Sequence, residues 1–316
     1  MYKNYMQLLL NHGQDVKSTL LAANMFHPSS KMEDSSDPGY KARAKRIIDG
    51  KSVELMSPLH LNLASSGRLL PSYIDLRIVL YRNPDDLILM DLNGQGRGYK
   101  VIFEDLRLYV REVELLDSIS LALEKTLASG HAMKFPIKNV QMRSFHIPAG
   151  GYQLSPTVIH NTSIPRKVIV GLVSTEAYNG LLSKDPLKFA NYSLKHISIE
   201  SGGRTFPDSR IDTDYDRGSY VRSYVQLFEG LNMTERNTSM GISFDSFADD
   251  HNLYVFNISP CSDSESFDLI SAGTTSLRME FKSPVPLGGV TVVVYSEFQN
   301  LLSIDNNRNV TFDNTV

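Results

Sequence analysis

The feature that most constrains this chain is a switch in its hydrophobic period. Over about the first 25 residues the apolar side chains cluster as a helix requires, in Tyr5-Met6, Leu8-Leu9-Leu10 and Leu20-Leu21-Ala22-Ala23, with Gly13 separating two short predicted helices. Pro28 to Gly39 is rich in Ser, Asp and Pro, a loop composition. Beyond it the period becomes two. Val53, Leu55, Leu59, Leu61 and Leu63 are offset from Glu54, His60 and Asn62, and Ile74, Leu76, Ile78 and Leu80 from Asp75, Arg77 and Tyr81. Alternation of this kind sends successive side chains to opposite faces of a strand, one face toward a core. Further strands are predicted at Leu87–Leu92 and Tyr99–Leu115. A helix that Asp117 can cap then runs through Leu121, Ala122 and Leu127 to Gly130 and connects two similar units.

A second strand-rich block starts at Phe135-Pro136. Its clearest predicted strands are Lys138–Ile147, Lys167–Val173, Ser193–Ser201, Asn252–Ile258, Ser276–Lys282 and Val290–Phe298. In Ser276–Lys282, Leu277, Met279 and Phe281 face one way and Arg278, Glu280 and Lys282 the other. Asn179-Gly180, Gly202-Gly203, Pro284, Pro286 and Gly288-Gly289 punctuate the block. One helix interrupts it, with Tyr220, Val221, Tyr224, Val225 and Phe228 at helical spacing before Gly230. Many short strands, Gly/Pro turns and isolated helices in long connections predict an all-β sandwich or jelly roll instead of a parallel α/β sheet.

Composition narrows the function. In 316 residues, 41% hydrophobic and 21% charged content is globular, and a net charge of -3 argues against a broad nucleic-acid-binding face. The single cysteine, Cys261, excludes an internal disulfide framework and fits a reducing compartment. Neither a secretory leader nor an apolar run of about 20 residues is visible, so an intracellular, non-membrane protein is expected. The sequons at Asn161-Thr162-Ser163 and Asn232-Met233-Thr234 then read as chance matches.

The sharper motifs resolve toward structure. Gly94-Gln95-Gly96-Arg97-Gly98 lacks both the spacing and the following helix of a phosphate loop and reads as a turn. Asp212, Asp214 and Asp216 open like a calcium loop, but Arg217 stands at its glycine position and Ser223 at its bidentate position. Asp214 and Asp216 instead precede the helix at Tyr220–Phe228, where carboxylates favour the positive dipole end. Histidines 12, 27, 60, 131, 146, 160, 196 and 251 form no close pair of the zinc-binding kind. Asp249-Asp250-His251 lies before a predicted strand and reads as a turn, and Cys261 has no local base to activate it. No catalytic, cofactor-binding or metal-ligating residue is therefore assigned, and no cofactor is expected.

Several blocks carry a resemblance. Val168-Ile169-Val170-Gly171-Leu172-Val173, then Ala177-Tyr178-Asn179-Gly180 and Asp185-Pro186-Leu187-Lys188-Phe189, form one. Arg217-Gly218-Ser219-Tyr220-Val221-Arg222-Ser223-Tyr224 with Leu227-Phe228-Glu229-Gly230 form another. Val292-Val293-Val294-Tyr295-Ser296-Glu297-Phe298 and Ile304-Asp305-Asn306-Asn307-Arg308-Asn309-Val310 form a third, with Tyr73-Ile74-Asp75-Leu76-Arg77-Ile78 and Tyr109-Val110-Arg111 in the first unit. In this order, over nearly the whole chain, they resemble the double-jelly-roll major capsid proteins of Maverick/Polinton elements.

The resemblance implies an all-β double jelly roll with short helices in its connections. Residues 1–130 would hold a partial first roll with the N-terminal helices and connector helix, and residues 131–316 a second roll. The family carries further N-terminal strands ahead of the segment matching Tyr2–Gly13, so the first roll is expected to be incomplete. The implied function is structural, not enzymatic: homotrimeric, pseudo-hexagonal capsomers tiling an icosahedral shell around double-stranded DNA. The implied partners are further copies of the chain and a minor capsid (penton) protein, with no specific nucleic-acid binding and no membrane. The implied location is a virion. The alternatives are a lectin-like ligand-binding sandwich, weakened by the absence of Trp, and a cupin-like metalloenzyme, for which His146, His160 and His196 lack the spacing.

Overall fold

The computed structural model describes residues 1–29, 31–64, 66–72, 74–92, 98–258 and 272–313. Five helices come first: α1 (Tyr2–Asn11), α2 (Gln14–Ser18), α3 (Pro38–Ile47), α4 (Asp85–Ile88) and α5 (Asp117–Ala128). Then follow β1 (Met133–Ile147), β2 (Gln153–His160), β3 (Lys167–Ser174), α6 (Thr175–Tyr178), β4 (Leu194–Ser201) and β5 (Arg204–Phe206). The chain continues through α7 (Val221–Gly230), α8 (Phe244–Asp249), β6 (Leu253–Asn257), β7 (Thr275–Phe281), β8 (Val290–Ile304) and β9 (Val310–Asp313).

The strands form two antiparallel sheets. One has the order β1-β8-β3-β6, with β9 added on the far half of β8, and the other the order β2-β7-β4-β5. β1 and β8 pair along their whole length, from Met133↔Ile304 to Ile147↔Val290. Apart from the β4–β5 hairpin, consecutive strands from β1 to β8 lie in opposite sheets, which is the winding of a jelly roll. The expected all-β class with short helices in the connections is the observed one.

Burial explains why the strands differ so much in sequence. Between the sheets, Val168, Val170, Leu172, Val292 and Val294 meet Ile197, Ile199, Leu277 and Met279. The opposite face of β3 and β8 is also covered: Ile169, Val173, Val293 and Tyr295 pack under Met6, Leu9 and Leu10 of α1, Leu227 of α7 and Phe247 of α8. A strand buried on both faces reads as an unbroken apolar run, and removal of each such side chain from water contributes about 1.5–3 kcal/mol. β7 has only one covered face, so buried Leu277, Met279 and Phe281 alternate with partly or fully exposed neighbours.

Gly13 N-caps α2, as its placement between two helices predicts. The N-terminal helices are pinned to the roll by Lys17, whose ammonium donates to the Leu9 and Met240 carbonyls, and by Gln14 N–H donating to Ser239 O at 3.2 Å. Met32 N–H adds a bond to Asp250 Oδ2 at 2.8 Å.

The first unit corrects the sequence reading. The strands expected at Val53–Leu63, Ile74–Leu80, Leu87–Leu92 and Tyr99–Leu115 are not formed among the described residues; these stretches are extended or irregular, and Asp85–Ile88 is a helical turn. Alternation specifies a face, but a strand exists only where another strand takes up its backbone groups. The connector helix is present as α5, with Asp117 inside its first turn and Leu116 at the cap position. In the second unit β2 escapes sequence detection because Pro156 interrupts it; it lies at a sheet edge and its register slips between Leu154 and Thr157. The helix expected to stop before Gly230 includes it. A side chain there would lie 2.6 Å from Val255 Cγ1, so glycine lets α7 press onto β6.

Candidate assembly surface

Pairing registers place the starts of β6 and β8 beside the ends of β1 and β3, so the β1–β2, β3–β4, β5–β6 and β7–β8 connections share one end of the roll. There the β1–β2 and β7–β8 turns are tied together: Gly150 N–H donates to Val285 O at 2.8 Å and Val285 N–H to Gly151 O at 2.9 Å. This frame holds Leu287 out at 93% exposure and Tyr152 at 57%. Leu181 in the β3–β4 connection, with Val221 and Val225 on the outer side of α7, adds exposed apolar surface. The inner side of α7 is spent on its own domain, through Tyr224, Leu227 and Phe228. Leu287 was missed in the sequence; the signal was an apolar residue between Pro286 and Gly288-Gly289, at the tip of a turn whose other apolar residue, Val285, takes the place in the core.

The polar groups singled out in the sequence have structural work. Asp214 and Asp216 do not serve the dipole of α7; both accept from Lys282, at 2.8 and 2.9 Å, and Asp212 accepts from Arg210 at 2.9 Å. The Lys282 ammonium and the Arg210 guanidinium thus already pair with the three carboxylates of the calcium-like motif. That ammonium also holds the Asp214 carboxyl below its ordinary range. His146, His160 and His196 are not brought to a common site. His146 Nδ1 faces Thr175 Oγ1 at 3.1 Å, His160 lies edge-on to Phe298, and His196 Nδ1 faces Ile211 O at 2.9 Å. Burial lowers the His160 imidazole to about 4. In Asp249-Asp250-His251, Asp250 accepts from Met32 N–H and lies 3.3 Å from Lys188, while His251 Nδ1 faces Ser246 Oγ at 2.7 Å and burial lowers it to about 4. Gly94-Gln95-Gly96-Arg97 and Cys261 lie outside the described residues.

Two concavities flank this end. One, of about 230 Å³, is lined by Glu33, Ser174, Lys184, Asp185, Lys188 and Tyr192 among others, and Lys188 bridges Glu33 and Asp250 across its rim. Burial raises the Asp185 carboxyl. The other, of about 370 Å³, is an open groove along Ser144, His146, Thr175, Tyr178 and Thr291. Their ion pairs and hydroxyl contacts fasten connections to the sheet. Among the described residues no helix is long and apolar enough to cross a membrane.

The strand order and the two-sided burial of one sheet define a jelly-roll β-sandwich protein with a helix-covered sheet. The chain belongs to the family of the uncharacterized protein F54H12.2 of Caenorhabditis elegans, with which it is 30% identical over 319 residues, spanning all of this chain and 75% of the relative. No family model matches. Among solved structures it is similar to the capsid of virus PBCV-1 (TM-score 0.39, 9% identity, 62% of this chain and 55% of that one). It is also similar to a chain of the Sputnik virophage (TM-score 0.37, 10% identity, 58% and 39%) and to the mavirus major capsid protein (TM-score 0.30, 11% identity, 58% and 41%). The chain spans about half the length of the first of these or less.

Proposed function

We propose that the chain is a structural capsid subunit. The observation that carries this reading is the jelly roll itself, wound as β1-β8-β3-β6 against β2-β7-β4-β5, with an apolar loop end projecting from it. The family-like blocks fall on its framing parts: Val168–Val173 on β3, Arg217–Gly230 on α7 and the turn before it, and Val292–Phe298 on β8. Residues 1–130 are assigned to a partial first roll and 131–316 to the second. In the resembled family two similar sandwiches per chain give a trimer six similar lobes, and a six-fold outline tiles a flat facet. Capsomers of this kind build an icosahedral virion shell around double-stranded DNA, with a minor capsid protein at the vertices. The net charge of -3 suits a wall that encloses nucleic acid without gripping it. The relation to Maverick/Polinton elements rests on the same sequence blocks. The role is mechanical, so no reaction is assigned.

Mass photometry with negative-stain microscopy tests this. Particles at three times 35.4 kDa are expected, and a strictly monomeric, well-folded product overturns the reading.

A further inference from the structure

The smaller of the two concavities, formed by the β3–β4 connection and the segment ahead of α3, holds oxygens that the fold leaves unused. Its volume of about 230 Å³ is far above the 10–15 Å³ or so that one water needs. The wall is fixed from two sides. Glu33 accepts the Asp185 N–H at 3.1 Å with one oxygen and pairs with Lys188 at 3.1 Å through the other. Met32 N–H is bound to Asp250, which also lies 3.3 Å from Lys188. Both lysines of the wall are thereby spent, since Lys184 pairs with Glu176 at 2.6 Å.

Asp185 differs from the other carboxylates here. It is 8% exposed, its Oδ1 accepts the Leu187 N–H at 2.8 Å, and among the described residues no donor reaches its Oδ2. Arg43, the cation whose field it feels, donates to the His27 carbonyl at 3.1 Å instead of pairing with it. Two neutral hydroxyls line the same cavity without a partner among the described residues: Ser174, which makes no cap bond to α6, and Tyr192. Burial, helped by the charges of Glu33 and Glu176, raises the Tyr192 phenol, as expected of a cavity with a negative field.

We infer that this cavity binds a primary ammonium group, with Asp185 as its counter-ion and the Tyr192 and Ser174 oxygens as further acceptors. The donor count favours this chemistry. An ammonium brings one positive charge and three N–H donors, and the cavity offers one carboxylate outside any ion pair and three residues with acceptor capacity to spare. A guanidinium would bring five donors in a rigid fork and leave some unmet. A divalent cation fits less well, because it calls for several oxygen ligands and the described residues hold no group of three His, Cys, Asp or Glu placed for a metal. The volume left over accommodates an alkyl stem, which a free amine and a lysine side chain of another polypeptide both supply.

A ligand-observed NMR titration of the 316-residue chain with n-butylammonium chloride tests this. Saturable binding of one equivalent is expected. Asp185→Asn, which keeps an acceptor for the Leu187 N–H, should weaken it about 10-fold or more, and Tyr192→Phe about 3-fold. Asp208→Asn, at an exposed carboxylate outside the cavity, should leave it unchanged. Neutral 1-butanol and tetramethylammonium, which has the charge without N–H donors, should not bind. Nα-acetyl-lysine methylamide separates the two sources. Binding as tight as that of butylammonium supports a lysine side chain as the occupant, and its exclusion while butylammonium binds supports a free amine. Absence of saturable butylammonium binding, equal affinity in the wild type and Asp185→Asn, or equal binding of 1-butanol would overturn the inference. None of these readouts depends on trimers, so the capsid reading stands or falls separately.

Discussion

Phe189 lies against the bare Cα of Gly171, so close that a Cβ on residue 171 would sit 2.5 Å from Phe189 Cδ1. The ring is fully buried and carries Tyr2 and Tyr5 of α1 on it, at 6.2 Å between ring centroids in each case. One missing side chain in the middle of β3 therefore sets the seat of the helix that covers the sheet. Gly171→Ala is expected to cost about 1–3 kcal/mol by overpacking. Gly98→Ala, with open space around it, is expected to stay within about 0.5 kcal/mol. Thermal melting of both variants checks this.

Lys17 is 2% exposed, and burial lowers its ammonium to about 8. A depressed lysine means that the unfolded chain holds its proton to higher pH than the folded one. Stability should therefore rise with pH from about 8 upward, until the buried tyrosines, whose folded pKa values lie above the ordinary 10, begin to oppose it. In denaturant titrations at pH 7.5 to 9.5, framed by that reference range, Lys17→Met should flatten the rise. An unchanged slope would remove Lys17 as its source.

His160 and His251 work in the acid range. Both are lowered to about 4 by burial, against 6.5 when unfolded. Their contribution is complete above pH 6.5 and is lost as pH falls from there toward 4, by up to about 3 kcal/mol each. Asp185 acts oppositely, since its raised pKa favours the folded state on acidification. His160→Phe, beside Phe298, should remove about half of the combined histidine loss. Urea midpoints between pH 7 and 4, the same window, measure it.

Leu287 makes the loop end a test of assembly apart from folding. At 93% exposure, Leu287→Asp should change stability by less than about 0.5 kcal/mol yet reduce the three-chain fraction sharply. Mass photometry and a melting curve on the same sample separate the two.

How much of this was legible in the sequence depended on what each residue's neighbours were. β7 was readable because one covered face leaves clean alternation, and β3 and β8 because burial on both faces leaves apolar runs. β2 was not, because Pro156 and a slipped register break its period at a sheet edge. Residues 74–80 and 105–111 alternate as well as β7 does, yet form no strand, because alternation encodes a face and not the partner that must pair with it. The apolar loop end was invisible for the opposite reason. A single Leu287 among prolines and glycines has no period, and only the bonds between the Gly150 and Val285 turns show it held outward.

The central claim is that this roll is a building block of a shell. Negative-stain imaging of the purified chain, with mass photometry on the same preparation, addresses it most directly. Three-chain particles are predicted, and they are lost in Leu287→Asp. A well-folded, strictly monomeric protein at every concentration would contradict it.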